Sequence, residues 1–249
     1  MWTLPIGQRT MTDIHMHLLP GMDDGAEDLQ MALDMVLRAR EQGIRTIFAT
    51  SHSFAFDGAS SEPVEVFHWF RKQAQRYFPD MGLYLGCEVY CEAGIMDDVL
   101  EALAAGRYPT MNGTEYVLME FSMWVSPENA LLCAEAMAGA GWKPIVAHME
   151  RYSFLRGDME LVNRLRDLGC LVQINAYSLF DEQEESIKGW ARQLAREQKA
   201  DFLGTDAHRT YHRPPSAELG LGWLYENCPK EYADRLAFEN AARLLTGVT

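Results

Sequence analysis

No stretch of this sequence is apolar for anything near the ~20 residues that a membrane span requires. Its first ten residues, Met-Trp-Thr-Leu-Pro-Ile-Gly-Gln-Arg-Thr, are too few and too polar for a signal peptide. Basic residues are scarce: 22 Lys and Arg against 36 Asp and Glu leave a net charge of −14, which argues against binding nucleic acid through a broad basic surface. The five cysteines, at 87, 91, 133, 170 and 228, are odd in number and form no Cys-x2-Cys pair, so they read as reduced thiols of a cytoplasmic protein. No Gly/Ser linker, low-complexity tract or internal repeat divides the 249 residues. What is present is a 48% hydrophobic chain, long enough to bury one large core.

Short β-rich runs alternate with amphipathic ones. Strands are expected at 12–17, 45–50, 83–89, 115–120, 143–148, 171–175 and 201–206. Helices are expected at 28–42, 63–78, 96–105, 127–140, 158–168, 185–199 and 216–227, with a last one near 231–245. In the first of these, Leu29, Leu33, Val36 and Leu37 form an apolar stripe, Asp28 is placed to cap the start and Gly43 to end it. Strands each followed by a helix imply a parallel sheet with right-handed crossovers. An open doubly wound sheet and a closed barrel both satisfy that pattern, and the polar residues separate them. His15 and His17, His52, Glu88, Glu120, His148, Asn175, and Asp206 with His208 all fall at or just past a strand's C-terminal end. Only a closed sheet gathers all its strand ends around one mouth. The expected fold class is α/β, a seven-stranded (β/α)7 TIM-like barrel.

The densest stretch is Thr-Asp-Ile-His-Met-His-Leu-Leu-Pro-Gly-Met-Asp-Asp-Gly at 12–25. Residues two apart in a strand share a side, so His15 and His17 project together, with Asp23 and Asp24 one short loop away. Imidazoles and carboxylates so grouped suit a divalent cation of the Zn, Mn or Fe type. Glu120, between Met119 and Phe121, is a carboxylate in an apolar run and needs a partner. Asp206-Ala-His208 repeats the same-side spacing of the first pair. His68 and His212 fall away from strand ends and read as surface residues.

The chain resembles the polymerase-and-histidinol-phosphatase (PHP) superfamily, and within it the bacterial protein-tyrosine phosphatases of capsule and exopolysaccharide synthesis. The resemblance runs through 13–25, Thr-Ile-Phe-Ala-Thr-Ser-His (46–52), Gly-Cys-Glu (86–88), Tyr-Val-Leu-Met-Glu-Phe (116–121) and Pro-Ile-Val-Ala-His-Met-Glu-Arg-Tyr (144–152). It continues through Gln-Ile-Asn-Ala-Tyr-Ser-Leu (173–179) and Thr-Asp-Ala-His (205–208), followed by Arg213-Pro-Pro. It implies a distorted barrel of the PHP fold over residues 11–249, with 1–10 as an N-terminal extension. It also implies three divalent metal ions, manganese foremost, although iron, magnesium or zinc would also accept oxygen and imidazole ligands. On this resemblance His15, His17, Glu88 and Asp206 hold one metal. Glu88, Glu120 and His148 shape the second, with Glu88 bridging, and Asp24, His52 and His208 surround the third. Asp24 is preferred to Asp23 by its spacing from His15. Arg151 and Arg213 match the arginines expected to grip phosphate. Two loops depart from the family: Thr50-Ser51-His52-Ser53 stands where it reads Thr-Pro-His-His, and His148-Met149-Glu150-Arg151 where it reads His-Pro-Glu-Arg.

The chemistry of such a site is coherent. Three divalent ions outweigh the carboxylates of Asp24, Glu88, Glu120 and Asp206, leaving a positive excess that suits a phosphate dianion. Metal ions supply hydroxide near neutral pH for in-line attack on phosphorus, and guanidiniums neutralise the equatorial oxygens. A tyrosyl leaving group, of pKa ~10, needs less help than an alkoxide, and protonation by a residue such as Asp206 or His208 is left unassigned. Phe54, Phe56, Trp124, Tyr152 and Tyr177 lie in strand-end loops where they could flank an aromatic ring. Cysteine-based tyrosine phosphatases need Cys-x5-Arg, which none of the five cysteines provides. The expected activity is metal-dependent hydrolysis of phosphotyrosine on a protein, the tail of a bacterial tyrosine kinase. The alternatives are a small-molecule phosphatase such as histidinol-phosphate phosphatase, and a catalytically silent PHP-like binding domain.

Overall fold

The structure, a computed structural model, describes residues 11–57, 62–180 and 184–246. The expected extension at 1–10 lies outside the described residues. Among the described residues eight strands run in chain order: β1 (Met11–Met16), β2 (Ile44–Ala49), β3 (Gly82–Leu85), β4 (Glu88–Cys91), β5 (Tyr116–Phe121), β6 (Lys143–Val146), β7 (Leu171–Asn175) and β8 (Phe202–Gly204). The helices between and after them are α1 (Leu29–Glu41), α2 (Glu62–Tyr77), α3 (Met96–Ala104), α4 (Pro127–Gly139), α5 (Met159–Asp167), α6 (Glu185–Arg196), α7 (Glu218–Asn227) and α8 (Lys230–Asp234). Among the described residues no helix is long and apolar enough to cross a membrane.

All strand pairings are parallel, in the orders β1-β2-β3 and β4-β5-β6-β7-β8. The two sheets meet on both sides. The Asp206 amide donates to His15 O (2.7 Å) and the His17 amide to Ala207 O (2.9 Å), joining the end of β1 to the end of β8. Across the other gap the Gly86 amide donates to Ala49 O (2.9 Å) and the Glu88 amide to Ser51 O (3.1 Å). The result is a parallel α/β fold compatible with the expected distorted barrel.

The strand expected at 83–89 is two strands. A Cβ at Gly86 would lie 2.8 Å from Met111 Sδ and 3.0 Å from Thr50 Cγ2, so the backbone there passes too close for a side chain. The chain jogs at this point: β3 pairs with β2, and β4 pairs with β5. Glu88 therefore begins a strand instead of ending one. The strand expected at 143–148 stops at Val146, and His148 sits beyond it in a turn with φ 32°.

Asp28 does cap α1, accepting from the Met31 amide at 2.8 Å, and Gly43 (φ +85°) ends it. The buried stripe differs from the expected one. It is Ala32, Met35, Val36 and Ala39, while Leu29 and Leu33 are half-buried and Leu37 is 40% exposed. The two alanines let the helix approach the sheet more closely than leucines would, which rotates the contact face. The helix expected near 231–245 changes its winding, from α8 through a π-turn at Arg235–Glu239 to a 3-10 turn at Asn240–Leu244. Side chains pin it at both ends: Tyr232 Oη donates to Ala200 O (2.9 Å) and Asn240 Nδ2 to Asp201 O (2.8 Å).

The described residues form two apolar clusters. The larger packs the outward strand faces, such as Ile47, Val117, Met119, Val146, Val172 and Ile174, against the helices. The smaller joins Ile14, Phe48, Leu118, Ile145 and Phe202 with Met111 and Leu244, and lies inside the strands below the site. Ile14 belongs to the inner cluster and Met16 to the outer one, although strict alternation would place them together. The register of β1 against β2 is irregular between Asp13 and Met16, and this bulge turns His15 inward.

Candidate metal centre

His15 and His17 do project together, with their Nε2 atoms 3.3 Å apart. A chain of side-chain amides assigns the state of His15. The Asp206 carboxylate accepts from Asn175 Nδ2 (3.1 Å), so Asn175 Oδ1 is free to accept from Gln173 Nε2 (2.9 Å). Gln173 Oε1 then accepts from the His148 amide (2.8 Å) and from His15 Nδ1 (3.1 Å). The proton of His15 is thereby assigned to Nδ1, and its Nε2 lone pair faces the centre. His17 Nδ1 donates to Asp23 Oδ2 at 2.8 Å, which leaves its Nε2 facing the same point.

Carboxylates complete this group. Glu88 Oε1 lies 3.2 Å from His15 Nε2, and Glu88 Oε2 lies 3.2 Å from His17 Nε2. Asp206 Oδ1 is 3.5 and 3.6 Å from the same two nitrogens. Glu88 is 1% exposed and also faces His148 Nε2 (2.9 Å) and His52 Nδ1 (3.0 Å). Glu120 approaches the same two rings, at 3.6 Å from His148 Nε2 and 3.3 Å from His52 Nδ1. On the outer side, Asp24 Oδ1 is 3.6 Å from His52 Nε2 and 3.4 Å from His208 Nε2.

Among the described residues three groups have ligand atoms within 4.8 Å of one another: His15, His17 and Glu88; His52, Glu88 and Glu120; and His17, Asp24, His52 and His208. His52 and His17 thus each face two groups, whereas the expected sets gave each of them one.

The electrostatics ask for positive charge. Burial disfavours a charged His17, yet Asp23, Asp206 and Glu88 around it raise its pKa well above the ordinary value. His52 rises to about 10 and His148 to about 9, in both cases because Glu120 and Glu88 outweigh burial. His15 and the other histidine partners hold Glu88 far below the usual carboxylate range despite its burial. His208 goes the other way: burial, the neighbouring His17 and Arg213 push it down to about 2, so it is a neutral imidazole. Its Nδ1 donates to Asp206 O (2.9 Å), leaving Nε2 as a lone pair. Buried carboxylates that draw protons onto their histidine neighbours draw divalent cations by the same field. Nitrogen lone pairs converging on carboxylate oxygens, with no thiolate among them, fit Mn, Fe, Zn or Mg.

Both expected arginines meet Asp206. Its Oδ2 accepts from Arg151 Nη1 at 3.1 Å and from Arg213 Nη2, while Oδ1 faces the histidines. Among the described residues Arg213 Nε is buried without a partner, an orphaned donor that an acceptor would satisfy.

The chain matches, over residues 11–246, the family described as capsular polysaccharide synthesis, CpsB/CapC. It belongs to that family. It is 31% identical to the tyrosine-protein phosphatase CpsB of Streptococcus agalactiae over 244 residues, covering 94% of this chain and 98% of that one. It is 31% identical over 246 residues to the tyrosine-protein phosphatase YwqE of Bacillus subtilis, covering 96% and 93%. Its fold superposes with a TM-score of 0.82, at 28% identity and 96% coverage of both chains, on a structure from work on B. subtilis YwqE and Streptococcus pneumoniae CpsB, described as unique metal-dependent tyrosine phosphatases.

In this CpsB/CapC-family chain the nine expected ligand-type residues, His15, His17, Asp24, His52, Glu88, Glu120, His148, Asp206 and His208, meet in one connected cluster. His68 and His212 are exposed, as expected. The strand-end aromatics divide. Phe56 and Tyr152 are buried in the core, and Tyr152 Oη accepts from the Phe121 amide (2.9 Å). Phe54 is 58% exposed and stacks 5.2 Å from the His52 ring, Trp124 is 91% exposed, and Tyr177 is half-buried beside Arg151.

Sequence reasoning missed three residues. Asp23, passed over for Asp24, holds His17 and also accepts from the His52 and Gly25 amides (3.1 and 3.0 Å). Gln173 holds His15 and the His148 backbone. Glu150, fully buried, accepts from the Asn175 amide (2.9 Å) and Ser178 Oγ (2.7 Å), tying the Arg151 turn to the end of β7. The available signal for Gln173 was a pair of amides two apart in an otherwise apolar strand.

Proposed function

We propose that the protein is a metal-dependent phosphatase that removes phosphate from tyrosine on a protein substrate. The reading extends to a tyrosine-phosphorylated segment of a bacterial kinase in capsule or exopolysaccharide synthesis, as the family description suggests. One observation carries it: the cage of histidine nitrogens and carboxylates shares Asp206 with two arginines, so a cation site and an anion grip adjoin. The named relatives are tyrosine phosphatases, which supplies the leaving group. Three exposed aromatics in the loops around the site, Phe54, Trp124 and Tyr211, support a substrate larger than histidinol phosphate. The five thiols, all unbridged, suit the cytoplasm.

We assign His15, His17, Glu88 and Asp206 to one ion, Glu88, Glu120 and His148 to a second, and Asp24, His52 and His208 to a third, with manganese foremost and residues 11–249 as one domain. Bound divalent ions would supply Lewis-acid charge and lower the pKa of water. The chain's own residues do the rest. Asp23 and Gln173 fix the ring orientations of His17 and His15. Arg151 and Arg213, held in place by Asp206, meet the phosphate oxygens with guanidinium N–H groups. His208, being neutral, acts through its lone pair and donates no proton from Nε2. A tyrosyl oxygen, pKa ~10, departs with less assistance than an alkoxide would need.

The test compares metal-loaded protein on a phosphotyrosine peptide and on histidinol phosphate. Turnover of the peptide is expected to dominate. Preference for histidinol phosphate removes this reading in favour of the small-molecule one, and inertness toward both favours a silent binding domain. Arg151→Ala and Arg213→Ala should each lose about 10²-fold or more in kcat/KM while elemental analysis finds metal content unchanged.

A further inference from the structure

Two ladders of side chains climb from the metal centre to the rim. On β4 and its continuation they are Glu88, Tyr90 and Glu92; on β5 and its continuation, Glu120, Ser122 and Trp124. Alternate residues of a strand share a face, and Tyr90 is the Cα partner of Glu120 across the ladder. Tyr90 therefore stands one step, about 6.6 Å, beyond Glu88 toward solvent. Between the ladders and the start of α4 lies a cleft of about 240 Å³ lined by Tyr90, Glu92, Ser122, Trp124, Ser126 and Asn129.

Among the described residues Glu92 is the one charged residue lining this cleft. It is exposed, and no cation pairs with it among the described residues. Its carboxylate accepts from Tyr90 Oη at 3.3 Å, which fixes it against the aromatic wall. The Tyr90 amide in turn donates to Ser53 Oγ (3.2 Å), anchoring that wall to the His52 loop. The start of α4 is already satisfied, since Ser126 Oγ accepts from the Asn129 amide (3.2 Å), so it adds little pull on an anion. The opposite wall is Trp124, 91% exposed, with its amide donating to Ser122 Oγ (3.2 Å). Two aromatic side chains and a carboxylate that no cation neutralises form a receptor for a cationic side chain.

We infer that this cleft binds a lysine or arginine flanking the phosphotyrosine of the substrate, an assignment that rests on the phosphotyrosine-protein reading of the adjoining site. Phosphotyrosine standing over the metal centre holds its own Cα near the rim, about the height of Tyr90. A neighbouring side chain of the extended peptide then reaches the cleft, because successive same-side residues lie about 6.6 Å apart. The arginines follow β6 and β8 and both reach Asp206, at the end of β8, so the phosphate and the flanking cation of the substrate meet different groups of the chain.

The experiment uses metal-loaded protein and three phosphotyrosine peptides differing only at the flanking positions, which carry Lys, Ala or Glu. p-Nitrophenyl phosphate, which has no flanking residues, reports the centre alone. The wild type should give kcat/KM in the order Lys, Ala, Glu, with Lys exceeding Ala roughly fivefold, the scale of one exposed ion pair with a cation–π contact. Glu92→Gln should bring the Lys and Ala peptides together while leaving p-nitrophenyl phosphate turnover unchanged. A flat peptide series in the wild type, or an undiminished Lys preference in Glu92→Gln, overturns the cation subsite and leaves the phosphotyrosine reading standing. Hydrolysis of p-nitrophenyl phosphate with all three peptides inert overturns the protein-substrate reading and the subsite with it.

Discussion

Gln173 Oε1 accepts from the His148 amide and from His15 Nδ1, so one side chain sets the orientation of two histidines on different strands. Gln173→Leu keeps the volume but removes the acceptor, leaving a buried His148 N–H unpaired. Loss of such a supporting contact should weaken metal binding about 10- to 100-fold, read by competition with a chromophoric chelator, while circular dichroism stays native. Unchanged affinity would mean that His15 needs no such support. The residues that converge here were legible in the sequence because histidines and acids stood at strand ends in apolar surroundings, where chance seldom leaves them unpaired. Gln173 was not, because its role depends on β7 lying beside the first strand's partner across the closed sheet. Asp23 and Asp24 are adjacent and chemically identical. Only the twist of the loop, which turns Asp23 under His17 and leaves Asp24 61% exposed over His52 and His208, separates their work.

The elements were legible as alternation, and their irregularities were not. The bulge in β1 and the jog at Gly86 are what turn His15 and Glu88 inward, and both arise from contacts between segments distant in sequence. The bulge has its own clamp. Asp13 accepts from the His15 amide (3.1 Å), the Thr205 amide (2.9 Å) and Thr205 Oγ1 (2.5 Å), stapling β1 to the end of β8. Burial pushes the Asp13 carboxyl up to about 6. Between its unfolded value of 3.8 and about 6, the native state holds a proton that the unfolded chain has released, so stability falls as pH rises through that window. Asp13→Asn retains an acceptor and does not titrate. In urea melts of chelator-treated protein, the stability of wild type relative to Asp13→Asn should fall by on the order of 2–3 kcal/mol between pH 4 and pH 7. A pH-independent difference would show that Asp13 is ionised throughout. Gly25 is a second such place: a Cβ there would lie 2.2 Å from His17 O. Gly25→Ala should displace the loop that carries Asp23 and Asp24 and lower metal content by elemental analysis, with the fold retained.

For the molecule as a whole, the candidate metal centre gathers carboxylates that the fold packs together with no lysine paired to them among the described residues. Of the carboxylates here the arginines pair with Asp206, with Arg213 Nη1 also donating to His208 Nε2 (3.1 Å), and among the described residues the ion-pair partners of Glu88 and Glu120 are histidines. Cations that bind the native state and not the unfolded chain stabilise it by mass action. Chelation should therefore lower Tm by about 5–10 °C, and manganese should restore it, as read by calorimetry. No change on chelation would mean that the packed acids are balanced by bound protons alone. Three residues of this centre, His148 (φ 32°), Asp206 (φ 52°) and Arg213 (φ 52°), hold left-handed backbone angles that residues other than glycine adopt uncommonly. At each of them glycine or asparagine would rest more easily. A lineage released from the need for this reaction would thus find relief first at these positions, and the site would decay from its turns before its strands noticed.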